Sequence, residues 1–508
     1  MKKRIENLLL ALLFLIVLVS EAFLTKDKQC LDDLFILHNT KENMSGPIHE
    51  SDVEQYMTHL NNELGIPEQK LKYITSTLTQ YPNLGKNIES IQEEAVIEDV
   101  EILFDVLKYS YAGYSYFATE DVWKDLENRI ISSIKMHDTT MNRDELIQML
   151  CTNLNFIQDS HFKICGYSPI VRSHFYYNDT IEIEKDSRGY YVKDNRQKWY
   201  IQSIENNENV EYYIKPSLNA EGKLCYYLGL LDTQSHTHLN VVFQSNSKEY
   251  KTTIKVSRSE SQINKNEKAY TYKMANNIPI ITMGRMYNKN AEDHSVEEFV
   301  ESAKKISNQE LAILDLRGNT GGQSWGANVW FQNFTGDPQI PQFSTLKLWS
   351  KINTYGLWQA YQTAKENSLF PPEELLEVKA ELSVVNPTEN CWIFTEGKEE
   401  KKQNTTKLIV LLDGNTASAA ENLVLYLNTL ENVVFIGTNT LGCFFSNANM
   451  KCILPNSEIE ISYGDQLTFT NNCIEGTGFQ PDIWIGGQDA LERTLAFLEK
   501  NGEYRVNE

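Results

Sequence analysis

No two of the eight cysteines in this chain stand as a C-x-x-C pair, and the one close histidine pair, His236 and His238, is flanked by no cysteine ligand. Zinc sites built from cysteine need clustered ligands at short spacing, so a structural metal is not expected. Positive charge is also scarce. Lys and Arg number 47 against 69 Asp and Glu, a formal net charge of −22 with no basic stripe. Such a surface repels nucleic acid and anionic membranes, which excludes both as partners. No internal repeat and no low-complexity segment is visible. No purely apolar run reaches the roughly 20 residues a helix needs to span a bilayer.

What is there fits a soluble protein of several domains. A hydrophobic content of 41% with 11% aromatics, over 508 residues, fills two or three cores rather than one. The chain opens Met1-Lys2-Lys3-Arg4, continues through twelve apolar residues from Leu8 to Val19, and reaches the small residues Ser20 and Ala22. That is the pattern of a signal peptide over 1–22, cleaved after Ala22. An uncleaved anchor over 8–24, tolerating Glu21, is the alternative. Either places the protein in an exported setting, extracellular, periplasmic or bound to the cell envelope. Asp27-Lys28-Gln29 before Cys30 lacks the small and apolar residues that lipid attachment needs. All eight cysteines lie beyond the signal, where disulfides can persist. Cys443, Cys452 and Cys473 fall in one strand-rich stretch and are candidates for pairing.

The organisation changes three times along the chain. An N-terminal extension, 23–97, carries no readable motif. Over 98–165 the pattern is helical, with Val100, Leu103, Phe104 and Leu107 at i, i+3, i+4 and i+7, then Leu146, Leu150 and Leu154 four apart. This predicts a helical cap that ends in the polar break Gln158-Asp159-Ser160-His161-Phe162. From 166 to 258, aromatic and β-branched alternation such as Thr252-Thr253-Ile254-Lys255-Val256 predicts a small β domain. A polar stretch follows. Over 270–500, apolar runs at Ile278–Met283, Leu311–Leu316, Leu408–Leu412 and Val433–Ile436 alternate with helical patterns at Glu297–Ile306 and Glu421–Leu430. Alternation of this kind predicts an α/β domain with a largely parallel sheet.

Three short segments in that last region carry chemistry: Asp315-Leu316-Arg317-Gly318-Asn319-Thr320-Gly321-Gly322, Thr416-Ala417-Ser418-Ala419-Ala420-Glu421, and Glu475-Gly476-Thr477-Gly478-Phe479-Gln480-Pro481-Asp482. Ser418 falls between the strand Lys407 to Asp413 and the next helix. Its hydroxyl would then lie at a helix N-terminus, where free N–H groups and the helix dipole favour a developing negative charge. Ser is also a common helix cap, and Asn415 and Thr416 compete for that role. The small neighbours Ala417, Ala419 and Ala420 leave room for a substrate.

With these segments in order, the chain resembles the serine peptidase family of C-terminal-processing (tail-specific) proteases, the tricorn core protease and their relatives. The resemblance covers about 98–165 and 270–490. It implies a catalytic domain of ClpP- and crotonase-like type, a helical cap, and in the place of 166–258 a PDZ-like or degenerate PDZ module. That module lacks a recognisable Gly-Leu-Gly-Phe type loop, so it need not read a free C-terminus. The resemblance further implies Ser418 as nucleophile, and an oxyanion hole from the N–H groups of Ala419 and of Gly321 or Gly322, with Gly321 first. Tail-specific members carry a catalytic Lys in Thr-Phe-Gly-Lys-Gly. Here that segment is Thr440-Leu441-Gly442-Cys443-Phe444, and a neutral thiol is a poor replacement for a general base. Lys451 is eight residues further on. The tricorn branch uses His, Ser and Glu instead, and the matching residues are His161 as base, with Ser160 and Glu475 to hold and polarise its imidazole.

The expected activity is that of an exported serine endopeptidase acting on peptides or unfolded protein segments, with no cofactor. Loss of the Lys motivates the alternative, an inactive peptide- or ligand-binding protein on the same fold. Pocket walls are expected in loops at Trp325 to Trp330 and Trp349 to Trp358, and Arg317 and Asn319 either touch substrate or brace their turn. Asp482 reads as structural. Oligomeric state is left open.

Overall fold

The computed structural model describes residues 31–40, 48–57, 88–136, 140–261, 268–290, 292–366, 375–376, 379–380, 382–383, 391–398 and 400–502. The signal or anchor read over 1–22 and 8–24 lies outside the described residues, as does Cys30. Among the described residues no helix is long and apolar enough to cross a membrane.

The molecule is mixed α/β with several sheets. Its centre is a six-stranded sheet in the order β1 (Tyr270–Ala275), β2 (Ile278–Met283), β3 (Leu311–Asp315), β4 (Lys407–Leu412), β5 (Val433–Gly437) and β6 (Ile483–Trp484). Only the β1–β2 pairing is antiparallel; β2 to β6 run parallel. Strands such as Leu311-Ala312-Ile313-Leu314 and Leu408-Ile409-Val410-Leu411-Leu412 are apolar at every position because helices cover both faces. On one face Ala312, Leu314, Leu408, Val410 and Phe435 pack beneath the helices Ser295–Ile306, Ser324–Thr335 and Ala419–Leu427. On the other, Ile313, Ile409, Leu411, Val434 and Ile436 meet Leu31, Leu34 and Phe35 of the helix Leu31–Thr40, and Phe497 and Leu498 of Ala490–Lys500. The helix after Ser418 starts at Ala419 and ends at Leu427, so Leu430 is buried just past it rather than within it.

Three helices, Glu93–Ser110, Glu120–Ile134 and Arg143–Asn153, share a core with a three-stranded sheet made by Lys163–Ile164, Met450–Ile453 and Glu460–Tyr463. The pairs Ile164 with Ile461 and Lys163 with Ser462 fix the chain immediately after His161. From 174 to 258 an eight-stranded antiparallel sheet has its own core, including Tyr176, Ile201, Leu228, Leu239, Val241 and Phe243.

Two expectations fail here. The stretches 325–330 and 349–358 are not loops: Trp325 and Trp330 lie in the helix Ser324–Thr335, Trp349 ends the strand Ser344–Trp349, and Trp358 lies in the helix Lys351–Glu366. Gly326 and Asn328 weaken helix propensity locally, but burial of Trp330, Phe331 and Phe334 against the sheet overrides it. Nor do the described cysteines pair. Cys151, Cys165, Cys225, Cys391, Cys443, Cys452 and Cys473 are all free thiols.

Candidate active site

Parallel strands end together, and the loops leaving their carboxyl ends meet in one crevice. After β3 comes the turn 316–322, after β4 the turn 413–418, and after β5 the segment 438–443. Backbone hydrogen bonds tie them in series: Ala417 N to Asn319 O at 2.9 Å, Leu441 N to Thr416 O at 2.8 Å, and Gly476 N to Gly442 O at 2.9 Å. The three motifs and the segment that follows the helix after Ser418 are therefore one structure. Glycine is required where they touch. A Cβ on Gly321 would stand 2.6 Å from Ala417 O and 2.8 Å from Ser418 Cβ; one on Gly442 would stand 2.6 Å from the N–H nitrogens of 476, 477 and 478.

Ser418 caps the helix Ala419–Leu427 with φ 54° and ψ −118°. A non-glycine residue at positive φ is strained by roughly 1–3 kcal/mol and persists only where its surroundings hold it. Glu421 is what holds it. Its fully buried carboxylate accepts from Ser418 N at 2.9 Å, Thr440 Oγ1 at 2.6 Å, Gly442 N at 2.8 Å and Cys443 N at 2.9 Å. Burial raises its pKa and these bonds work against that rise. Ser-x-x-Glu is a capping-box spacing, so this anchor was readable in the motif.

The Ser418 hydroxyl lies 3.3 Å from His161 Nε2. His161 is 7% exposed, and burial lowers its pKa below the ordinary imidazole value, with Glu475 and the Ser446 backbone carbonyl acting in the opposite sense and Lys163 and Arg172 adding to the fall. A neutral ring with a bare Nε2 can take the Ser418 proton, which leaves the ring proton on Nδ1. The Ser446 carbonyl is the acceptor that favours it.

Ser160 and Glu475 are not placed as expected. Ser160 Oγ donates to Gly442 O at 2.9 Å and accepts from Arg172 Nη2 at 3.2 Å. Glu475 accepts from Ser160 N at 2.7 Å and from Phe444 N and Phe445 N at 2.9 Å each. Neither side chain touches the imidazole. They lie in the same loops, and the third motif turns Glu475 toward backbone N–H groups, so it reaches His161 only through its charge. The carboxylate under the histidine is Asp159, fully buried. It accepts from His161 N at 2.8 Å, Tyr111 Oη at 2.9 Å and Ser446 Oγ at 2.7 and 2.8 Å. It thus holds both His161 and the residue whose carbonyl meets the ring. Sequence offered only its place in Asp-Ser-His.

The N–H groups expected as oxyanion donors differ in their availability. Gly321 N donates to Asn319 Oδ1 at 2.9 Å and is spent. The N–H groups of Gly322 and Ala419 have no partner among the described residues. Cys443 brings its Sγ to 3.3 Å from His161 Nε2, the nitrogen that faces Ser418, with its pKa raised well above normal by burial first and nearby carboxylates second. Lys451 is engaged with Glu460 at 3.2 Å. Arg317 forms a bidentate pair with Asp315 at 2.8 and 2.7 Å, and Asn319 Nδ2 donates to Met283 O at 3.0 Å, so both brace the turn. Asp482 accepts from Phe435 N of the strand β5 at 2.8 Å, a structural contact.

Residues 277–485 match the family model described as Peptidase family S41. The nisin-resistance protein of Lactococcus lactis subsp. lactis is 25% identical over 208 residues, 41% of this chain and 56% of that protein, so the chain spans little more than half the length of the curated relative it matches. Among solved structures, mature CPAF is 12% identical with a TM-score of 0.41, covering 81% of this chain and 96% of that one. The photosystem II D1 C-terminal processing protease is 11% identical with a TM-score of 0.34, covering 77% and 92%. Over residues 277–485 the chain is thus similar to peptidase family S41.

Proposed function

We propose an exported endopeptidase that works through an acyl-enzyme on Ser418. The observation that carries this reading is the 3.3 Å approach of Ser418 Oγ to His161 Nε2 at a strained helix N-terminus. His161 takes the hydroxyl proton as Ser418 attacks the scissile carbonyl, then returns it to the leaving amine; a water, activated in the same way, releases the acyl group. The tetrahedral oxyanion is stabilised by the N–H groups of Ala419 and Gly322 and by the helix dipole. Use of His161 in place of the Lys of tail-specific members aligns the chain with the tricorn-like branch. The sequence pattern of 1–22 supports export. The sheet over 174–258, where relatives carry a PDZ module, is read as a degenerate form of it.

The cleft holding Ser418, His161 and Gly322 encloses about 470 Å³, and its lining mixes Ile340, Phe343 and Phe444 with a larger number of uncharged polar side chains such as Asn328, Gln342, Asn422 and Gln466, with no Lys, Arg, Asp or Glu among the described residues. An uncharged segment fits such walls, since a charged one would be desolvated without a partner. The test is digestion of an unfolded protein, with fluorophosphonate labelling, by the wild type and Ser418→Ala. Turnover in the variant falls about 10⁶-fold, to the limit of detection, while its circular dichroism is unchanged. Undiminished cleavage by Ser418→Ala would overturn the reading.

A further inference from the structure

A larger crevice, about 1010 Å³, lies away from the Ser418 cleft, where residues 172–175 and 258–261 at the edge of the antiparallel sheet face the loops 414–415 and 438–441. Two guanidinium groups line it, Arg172 and Arg258, beside the imidazole of His174 and against one acid, Glu260. In a chain of net charge −22 this is a local reversal of sign. Arg285, Arg317 and Arg493 each meet a carboxylate at 2.6 or 2.7 Å. Arg172 and Arg258 meet none among the described residues. After burial, both guanidinium groups act to keep His174 neutral, so their fields overlap in the same space. A guanidinium without a carboxylate partner keeps donors that match a carboxylate or a phosphate, in Arg172 those N–H groups that its two neutral acceptors leave over.

Arg172 joins this crevice to the peptidase centre. Its Nη1 donates to Leu441 O at 3.0 Å and its Nη2 to Ser160 Oγ at 3.2 Å. Ser160 precedes His161 in the chain. Leu441 precedes Gly442 and Cys443, whose N–H groups fix Glu421 and, through it, Ser418. The guanidinium charge also opposes the positive charge that His161 gains during acylation, as does Lys163, while Glu475 favours it.

We propose that this crevice binds an oxyanion, a carboxylate or phosphate group, on Arg172 and Arg258, and that the bound anion speeds acylation of Ser418 by offsetting the Arg172 charge and bracing its contacts with Ser160 and Leu441. Binding stands apart from the catalytic reading; the rate effect rests on it.

The experiment uses the full chain, with inorganic phosphate and succinate as probes at constant ionic strength, set with chloride. Calorimetry measures binding, and the fluorophosphonate labelling rate of Ser418 measures the coupled effect. Arg258 is exposed, so Arg258→Gln leaves the fold standing, and Arg258→Lys tests the charge alone. The expected result is saturable binding of at least one probe, a several-fold faster labelling when it is bound, about tenfold weaker binding in Arg258→Gln, and partial recovery in Arg258→Lys. Preference for phosphate or for succinate identifies the source of the oxyanion. Binding of neither probe, or binding equally strong in Arg258→Gln, overturns the site. Binding with an unchanged labelling rate overturns its action on Ser418, and a wild type that binds but is never labelled fails the catalytic reading instead.

Discussion

Asp159 shows how much of this centre rests on one side chain that touches no substrate. Its carboxylate fixes His161 N and Ser446 Oγ together, so Asp159→Asn turns one amide face toward donors it cannot accept from. We expect kcat to fall about 10- to 100-fold with KM nearly unchanged, the size of effect a small misplacement of a catalytic group produces. The pH profile separates this from a merely structural loss. His161 is held below its ordinary pKa by burial, and in the proposed mechanism it acts when neutral. In the wild type kcat/KM therefore falls on the acid side only below the ordinary imidazole value of about 6.5. Removing a buried negative charge favours the neutral ring further, so in Asp159→Asn that acid limb moves to still lower pH. Cys443 makes the opposite prediction. Its thiol lies at His161 Nε2 beside Ser418 but is held protonated, and it competes for the nitrogen rather than serving it. Cys443→Ala therefore keeps the labelling rate within about threefold of wild type or raises it, well under the tenfold that 1.36 kcal/mol represents; a hundredfold loss would place the thiol in the proton path.

The elements that carry these residues are turns whose shape depends on close backbone approach. Gly321 has φ +86° and no room for a methyl group beside Ala417 O and Ser418 Cβ. Gly321→Ala is expected to destabilise the fold by about 1–3 kcal/mol from backbone strain alone and to abolish labelling of Ser418, with urea unfolding and probe incorporation as the two readouts. The strand, turn and helix around Ser418 were legible because apolar runs, glycine and small residues carry local signals. The helices Ser324–Thr335 and Lys351–Glu366 were not, since their tryptophans resemble loop aromatics until a sheet buries them. Ser160 and Glu475 were assigned by motif context, and motif context does not say which way a side chain turns.

At the scale of the whole molecule, the six-stranded sheet is held from both sides, and one of its covers comes from the N-terminal extension that showed no readable motif. Leu34, at 0% exposure, and Phe35 pack on the face opposite the helix Ala419–Leu427. Leu34→Ala is expected to cost about 2–5 kcal/mol, measured as a lower urea midpoint, with kcat/KM unchanged while the protein stays folded, because that face does not touch Ser418. Sequence by itself determined the α/β alternation, the order of the three motifs and the place of Ser418 between a strand and a helix, because periodicity and turn residues act over short distances along the chain; His161 became a candidate only through the family resemblance. Tertiary structure alone decided that Asp159 rather than Glu475 lies under His161, that Gly322 rather than Gly321 keeps a free N–H, and that Cys443 meets the same nitrogen as Ser418. Each of these depends on which hydrogen-bond partner arrives from a segment remote in sequence, and no local pattern encodes that choice.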